Sequence, residues 1–300
     1  MTTAVPMRVG VVTNPTAGLG TGESVAVRLF EALRDAGHSV AELAELAELA
    51  SIDGLGTAIG VDALVVVGGD GTAHVGLNLV AGTGIPLGII PTGTGNDLAR
   101  AFGIPLGDTD AAIHTLLDAL ARPPRYIDLG RITHADDTVT YFGGVLAAGF
   151  DAVVNERANR MRWPRGSSRY TVALLREIVG LRAIEYTVEL DGEASGFSAT
   201  LVSIANTSYF GGGMRVAPGA EIDDALFDIV SLEPVGRISL LRIFPKVFAG
   251  THIRDPRVAV RKAARVRIDA ATIVAYADGE RIGPLPLDVE IVPCGLAVLM

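Results

Sequence analysis

The run from Val65 to Arg100, VVVGGDGTAHVGLNLVAGTGIPLGIIPTGTGNDLAR, restricts the fold more than any other stretch of this chain. Val65, Val66 and Val67 are β-branched, apolar and consecutive, the pattern of a strand end buried on both faces. Gly68-Gly69-Asp70-Gly71-Thr72 follows, and then a short helix-like run from Ala73 to Val80. A second apolar strand, Leu87 to Ile90, leads into Thr92-Gly93-Thr94-Gly95-Asn96-Asp97 and another helix start. Two strand, glycine-turn, helix units stand back to back. Such alternation reads as an α/β sheet. Each turn aims backbone N–H groups and the positive end of a helix beyond the strand ends, a construction suited to phosphate.

The two acids in these turns decide what kind of phosphate site is expected. A bare carboxylate at Asp70 or Asp97 would repel phosphate, and a divalent cation removes the conflict by taking oxygen ligands from both. The matched pair points to a metal–nucleotide complex. Gly68, Gly69, Asp70, Gly71 and Thr72 would form one wall, and Gly93, Thr94, Gly95, Asn96 and Asp97 the other. A plainer alternative stands beside it: Asp favours turns, and both acids would then only shape the loops.

GGDGT followed at this spacing by PTGTGNDLAR resembles the catalytic domain of the diacylglycerol kinase-like lipid kinases, which include sphingosine and ceramide kinases. NAD kinases and phosphofructokinases share versions of the first motif, whereas the second is far more specific to the lipid kinases. Further matches near Asn14, Phe210, Asp224 and Asp278 extend the resemblance over nearly the whole chain. It implies an α/β nucleotide-binding domain followed by a β-rich, sandwich-like domain. The activity it implies is transfer of the γ-phosphate of ATP, with Mg²⁺, to a lipid hydroxyl, diacylglycerol being the first expectation. An NAD kinase, a kinase of another lipid alcohol and a catalytically silent lipid-binding relative are the alternatives.

Composition narrows the partners. Three hundred residues with a hydrophobic fraction of 49% give ample core for one large or two modest domains. No apolar run reaches the eighteen or so residues of a membrane span, and the start lacks a basic-then-apolar leader pattern. A cytoplasmic protein, peripheral at the inner face of the cell membrane, is the expectation. Cys294 is the single cysteine, which excludes an internal disulfide and a cysteine metal cluster. A net charge of −9 argues against nucleic acid and against strong adhesion to anionic lipid. Contact with the bilayer should be local and transient, and a homodimer is left open.

Arg8 to Asn14 reads as a buried strand, followed by a third glycine turn, Pro15 to Gly22, and a helix from about Ser24 to Ala36. The turn lacks the GxGxxG spacing of a dinucleotide fold. In the resembling kinases it is an Asn-Pro-x-x-Gly element that wraps the nucleotide, matched here by Asn14, Pro15 and Gly18. Ala41 to Ala50, AELAELAELA, begins as the second strand and becomes helix somewhere inside the tract. His74 stands near a helix start, where a structural role is favoured over nucleotide contact. Asp108 to Leu120 is an amphipathic helix, and Pro123-Pro124 marks the exit from a first domain spanning residues 1–125.

Residues 126–290 change texture. Tyr126–Arg131, Tyr141–Ala147, Tyr186–Leu190, Ala199–Ala205, Phe227–Leu232, Arg265–Asp269 and Ile273–Ala277 read as short strands, the spacing of a sandwich or barrel. Helices are expected at about Tyr170–Leu181 and Leu240–Ala249. Residues 291–300 should return to the first domain, as they do in the resembling kinases. Arg157, Arg160, Arg162, Arg165 and Arg169 crowd around Trp163, the sole tryptophan, a candidate for bilayer contact or a solvated loop.

Three further assignments rest on the resemblance. Asn206 to Pro218 would line a cleft between the domains near the substrate head group. Glu221, Asp224 and the carbonyl of Leu226 match a structural magnesium site, although Ala225 stands where relatives have a glycine. Asp278-Gly279-Glu280 matches the catalytic element, with Asp278 or Glu280 as general base. The same triplet at Asp191 reads as a hairpin turn.

Overall fold

The computed structural model describes residues 6–13, 22–43, 60–134, 136–161, 163 and 168–300. The chain divides into two compact units, residues 1–129 with 294–300, and residues 130–293.

The first unit is a parallel sheet. Its strands β1 (Arg8–Thr13), β2 (Ser39–Glu42), β3 (Ala63–Gly68) and β4 (Leu87–Pro91) lie in the order β2-β1-β3-β4. Every residue of β3 and β4 is buried, which is why both read as unbroken apolar runs rather than alternating ones. Burial of Val65, Val66 and Val67 contributes about 1.5–3 kcal/mol each as an upper range. Helices α1 (Gly22–Asp35), α2 (Asp70–Val80), α3 (Asp97–Ala101) and α4 (Thr109–Leu120) connect or follow these strands. Helix α1 packs Val25, Ala26, Leu29 and Leu33 inward. Helix α4 is capped by Asp108, which accepts the N–H of Ala111 at 3.0 Å. Residues Cys294 to Met300 belong to this unit, and Val298 pairs in parallel with Leu87 at the edge of β4.

The second unit is an antiparallel sandwich. Strands β5 (Arg125–Thr133) and β6 (Val139–Phe142) pair with each other; β7 (Val145–Ala147) follows, then helices α5 (Phe150–Arg160) and α6 (Ser168–Glu177). Strands β8 (Ile184–Leu190), β9 (Glu193–Ala199), β10 (Leu201–Ala205), β11 (Tyr209–Phe210), β12 (Met214–Arg215) and β13 (Phe227–Leu232) lead to helix α7 (Arg237–Phe248). The chain finishes with β14 (Val258–Ala263), β15 (Arg265–Ala270), β16 (Val274–Ala277), β17 (Glu280–Pro284) and β18 (Leu287–Val298). One sheet runs β14-β13-β10-β7-β16-β17, and β18, β15, β8 and β9 neighbour one another in the other. Leu146, Ile204, Phe227 and Ala275 from one sheet meet Val188, Val266, Ile268 and Val289 from the other in a common core. Phe142 and Phe227 stack there at 5.8 Å.

The α/β unit and the β-sandwich are thus both as the sequence indicates. Helix α5 and strand β14 are among the elements that depart from the strand-by-strand reading. Helix α5 occupies a stretch with no clear apolar period, because its buried face includes Asn155 beside Phe150, Ala152, Val154 and Ala158. Strand β14 is largely exposed and carries Arg261 and Lys262 among short apolar residues. Ala225 adopts the left-handed conformation (φ 59°) in spite of its Cβ, a position glycine would fill at lower cost.

Candidate active site

The order of the parallel strands reverses direction between β1 and β3. In open α/β sheets, ligands sit outside the carboxyl ends of the strands at such a reversal. Gly68 closes β3 at that point, and the N–H of Thr92 donates to its carbonyl at 2.9 Å. The two glycine turns are in backbone contact. A Cβ on Gly69 would lie 3.2 Å from the Cα of Gly93, and one on Gly95 would collide with the Asp70 carboxylate. These positions are glycine because the turns press against each other, independently of any ligand.

Asp70 is the first residue of α2, and its side chain reaches across to the second turn. Oδ2 accepts the N–H of Asn96 at 2.8 Å, and Oδ1 accepts that of Asp97 at 2.6 Å. Both N–H groups stand at the start of α3, where a helix has no internal acceptor for them. Asn96 itself is left-handed (φ 54°) and donates through Nδ2 to the carbonyl of Gly93 at 2.8 Å. The carboxylate thus joins the two turns into one clasp. Asp97 is half-buried, with Arg100 Nε at 4.0 Å, and Arg100 also donates to the carbonyl of Gly95 at 3.3 Å. His74 is buried along α2, its Nε2 at 3.3 Å from Asn78 Nδ2. Asn14, Pro15 and Gly18 lie outside the described residues.

In the second unit, both Asp-Gly-Glu triplets form the same two-residue hairpin. Asp191 (φ 50°) and Gly192 (φ 93°) join β8 to β9; Asp278 (φ 51°) and Gly279 (φ 86°) join β16 to β17. Asp-Gly supplies the two positive φ values that such a turn requires. Their carboxylates differ in setting. Asp191 accepts the N–H groups of Ala264 at 3.1 Å and Arg265 at 2.8 Å on an exposed edge. Asp278 is buried and accepts those of Gly143 at 3.0 Å and Gly144 at 2.8 Å. Around it, Asn206 Nδ2 donates to the carbonyl of Gly143 at 2.9 Å. Asn155 and Asn159 donate to the carbonyl of Gly279 at 3.2 and 2.9 Å. Glu280 is exposed. Gly143, Gly144, Asn155 and Asn159 escaped the sequence reading, since isolated Gly and Asn residues carry no spacing signal.

Near Leu226, Asp224 meets a lysine. Its Oδ1 accepts the N–H of Leu226 at 3.1 Å, and its Oδ2 lies 2.6 Å from Lys262 Nζ. The same ammonium stands 3.8 Å from buried Asp228. Burial raises the Asp228 carboxyl above its ordinary range, Lys262 opposes this, and Asp224 and Glu221 add to it. Glu221 is exposed. Among the described residues, no group of three or more His, Cys, Asp or Glu side chains is arranged to hold a metal ion. Lys262 supplies the positive charge beside Asp224.

A cavity of about 90 Å³ lies inside the second unit, walled by Leu174, Phe210, Leu232, Ile243, Phe244 and neighbouring apolar residues. Asp151, Ser203, Tyr170 and His252 are its polar wall. Asp151 Oδ2 accepts the Ser203 hydroxyl at 2.7 Å, and Oδ1 accepts the N–H of Ala152 at 2.9 Å. Burial pushes the Asp151 carboxyl up to about 6, against the pull of these hydrogen bonds. His252 is buried, with Nε2 at 3.0 Å from the carbonyl of Val216, and burial lowers its ring below the usual histidine range.

A parallel α/β unit with clasped glycine turns, joined to an antiparallel sandwich with a buried hairpin carboxylate, defines the class. The diacylglycerol kinase catalytic domain matches residues 8–132, and the YegS C-terminal NAD kinase beta sandwich-like domain matches residues 144–300. A diacylglycerol kinase of Mycobacterium tuberculosis (strain CDC 1551 / Oshkosh) is 40% identical over 295 residues, 97% of this chain and 94% of that one. A diacylglycerol kinase of Bacillus subtilis (strain 168) is 29% identical over 75% of this chain and 73% of its own. The crystal structure of a diacylglycerol kinase from Bacillus anthracis str. Sterne superposes with a TM-score of 0.76 at 21% identity, covering 98% of both chains. The chain belongs to the diacylglycerol kinase-like family of kinases.

Proposed function

We propose that this kinase transfers the γ-phosphoryl group of ATP to the hydroxyl of a lipid alcohol, with diacylglycerol as the substrate and phosphatidic acid as the product. The observation that carries the lipid part is the apolar cavity of the second unit, whose aliphatic and aromatic wall suits hydrocarbon rather than a dinucleotide and which, at about 90 Å³, must widen to take an acyl chain. The relatives named diacylglycerol kinase support the same choice.

The turns at Gly68–Thr72 and Gly93–Gly95 bind the nucleotide phosphates through backbone N–H groups and the start of α2, the N–H groups of Asn96 and Asp97 being held by Asp70. Asp70 holds the two turns in one geometry, so its contribution to binding is preorganisation. A divalent cation would arrive with the nucleotide, held chiefly by phosphate oxygens. In the second unit Asp278 takes the hydroxyl proton as general base. The N–H groups of Gly143 and Gly144 hold its two oxygens in place, and each carboxylate oxygen has two lone pairs.

The deciding assay offers radiolabelled ATP and Mg²⁺ with a panel of lipid alcohols in mixed micelles, and with NAD in parallel. Label is expected in phosphatidic acid. NADP formation without lipid phosphorylation would overturn the proposal.

A further inference from the structure

Helix α7 has a wide apolar arc, one part turned inward and one part exposed, with Phe248 edge-on to Phe244 at 5.6 Å between them. Leu240, Ile243, Phe244 and Val247 line the cavity. In the exposed part Ile238, Leu241 and Phe248 are 68%, 42% and 44% exposed, and exposed Pro245 completes their stripe. Scattered apolar residues on a surface helix are ordinary, but a contiguous exposed stripe marks a surface that meets another apolar phase, and among the described residues this one is exposed. The patch continues onto the neighbouring segment. Arg237 donates to the carbonyl of Val179 at 2.5 Å, which fixes Val179, 66% exposed, beside the start of α7.

The charge around this stripe opposes that of the molecule. From Pro234 to Arg254 the chain carries Arg237, Arg242, Lys246 and Arg254 with no Asp or Glu, in a protein of net charge −9. Arg242 and Lys246 are exposed, and among the described residues neither is in a salt bridge. Asp255, the next acid along the chain, pairs with Arg257 at 2.8 Å, and Lys246 acts on it only at longer range. Two of the arginines near Trp163 compare poorly: Arg157 pairs with Glu177, and Arg160 pairs with Glu156. Apolar residues flanked by exposed cations outside any salt bridge form the pattern of a helix lying in the interface of an anionic membrane. A second copy packed on this face about a twofold axis would bring the same cations together.

We propose that the outer face of α7 is the membrane-docking surface. Ile238, Leu241 and Phe248 enter the lipid boundary while Arg242 and Lys246 meet headgroup phosphate, and the inner face of the same helix walls the cavity. The occupant of the cavity rests on the function proposed above; the docking surface is tested without it.

The test uses the full chain, without nucleotide, in co-sedimentation with phosphatidylcholine vesicles with and without phosphatidylglycerol. Binding should require phosphatidylglycerol and weaken with salt. Arg242→Gln with Lys246→Gln should lower the partition constant about fivefold for each cation removed. Ile238→Glu with Leu241→Glu should abolish binding while leaving the melting temperature and the phosphorylation of a soluble short-chain diacylglycerol unchanged. Vesicle binding by either double variant equal to that of the parent would overturn the proposal. So would a parent that fails to bind vesicles but forms a dimer that these substitutions dissociate. A parent that binds vesicles through α7 yet phosphorylates no lipid would sustain the docking surface and sink the proposed substrate.

Discussion

The replacement Asp70→Asn separates two roles for one carboxylate. In the structure both oxygens are engaged, at 2.8 Å with the N–H of Asn96 and at 2.6 Å with that of Asp97. Hydrogen bonds to an ionised acceptor contribute about 1.5–3 kcal/mol each. Asparagine keeps one acceptor oxygen, and its NH₂ then faces an N–H that needs an acceptor. The expected loss is one such bond, about 1.5–3 kcal/mol, concentrated at the second turn. Amide hydrogen exchange on the nucleotide-free protein reads this locally. Exchange at Asn96 and Asp97 should accelerate by roughly ten- to a hundredfold, since about 1.4 kcal/mol corresponds to a factor of ten. Turnover should fall with it. If exchange and melting are unchanged while turnover vanishes, the carboxylate acts on the bound nucleotide and the clasp contributes nothing to stability. If all three are unchanged, Asp70 is only a turn former.

The twin hairpins provide their own control. Asp278→Asn should lower turnover by about 10²–10⁴-fold, the usual range for a general base, with a smaller loss for Glu280→Gln and almost none for Asp191→Asn; inactivation by Asp191→Asn alone would refute the assignment. Asp151 gives a pH signature. Its folded carboxyl is raised from 3.8 to about 6, so the native state binds more protons between those values and stability falls as pH rises through that window. At 1.36 kcal/mol per unit the penalty is roughly 3 kcal/mol above pH 6. Asp151→Asn should therefore gain in melting temperature relative to the parent at pH 7 and match it near pH 4; a pH-independent difference would discount the buried charge. Lys262→Gln should strand Asp224 and Asp228 together, lowering the melting temperature more at neutral than at acid pH. Added Mg²⁺ should then restore the variant more than it stabilises the parent, and an equal response in both would show that no cation is needed there.

What the sequence made legible was whatever has a local cause. Val65 to Val67 announce a two-sided strand because three adjacent β-branched residues have no other stable use, and the glycine turns follow from the close approach of Gly69 and Gly93. The Asp278 hairpin was legible as a turn for the same reason as Asp191. What separates them is long-range: the partners of Asp278 are Gly143 and Gly144, more than a hundred residues earlier. The role of Lys262 was hidden likewise, since Asp228 faces it across a strand pair and Asp224 lies just before that strand. Helix α5 was missed because a buried asparagine interrupts its apolar face. Asp151 gave no spacing signal either, and its meaning comes from a cavity assembled from β10, β13, α6 and α7.

The last seven residues set a limit on how this protein can be cut. They belong to the first unit, where Leu299 donates to the carbonyl of Leu87 at 2.9 Å and the carbonyl of Gly295 accepts the N–H of Gly82 at 2.9 Å. Cys294 also donates its N–H to buried Asp128 at 2.9 Å. A fragment ending near residue 130 would contain every glycine turn yet leave β4 as an open edge, with unpaired backbone groups beside an apolar face. Such an edge recruits other chains. The fragment should aggregate, and a peptide carrying the final strand, or a circular permutant that splices it beside β4, should keep it soluble.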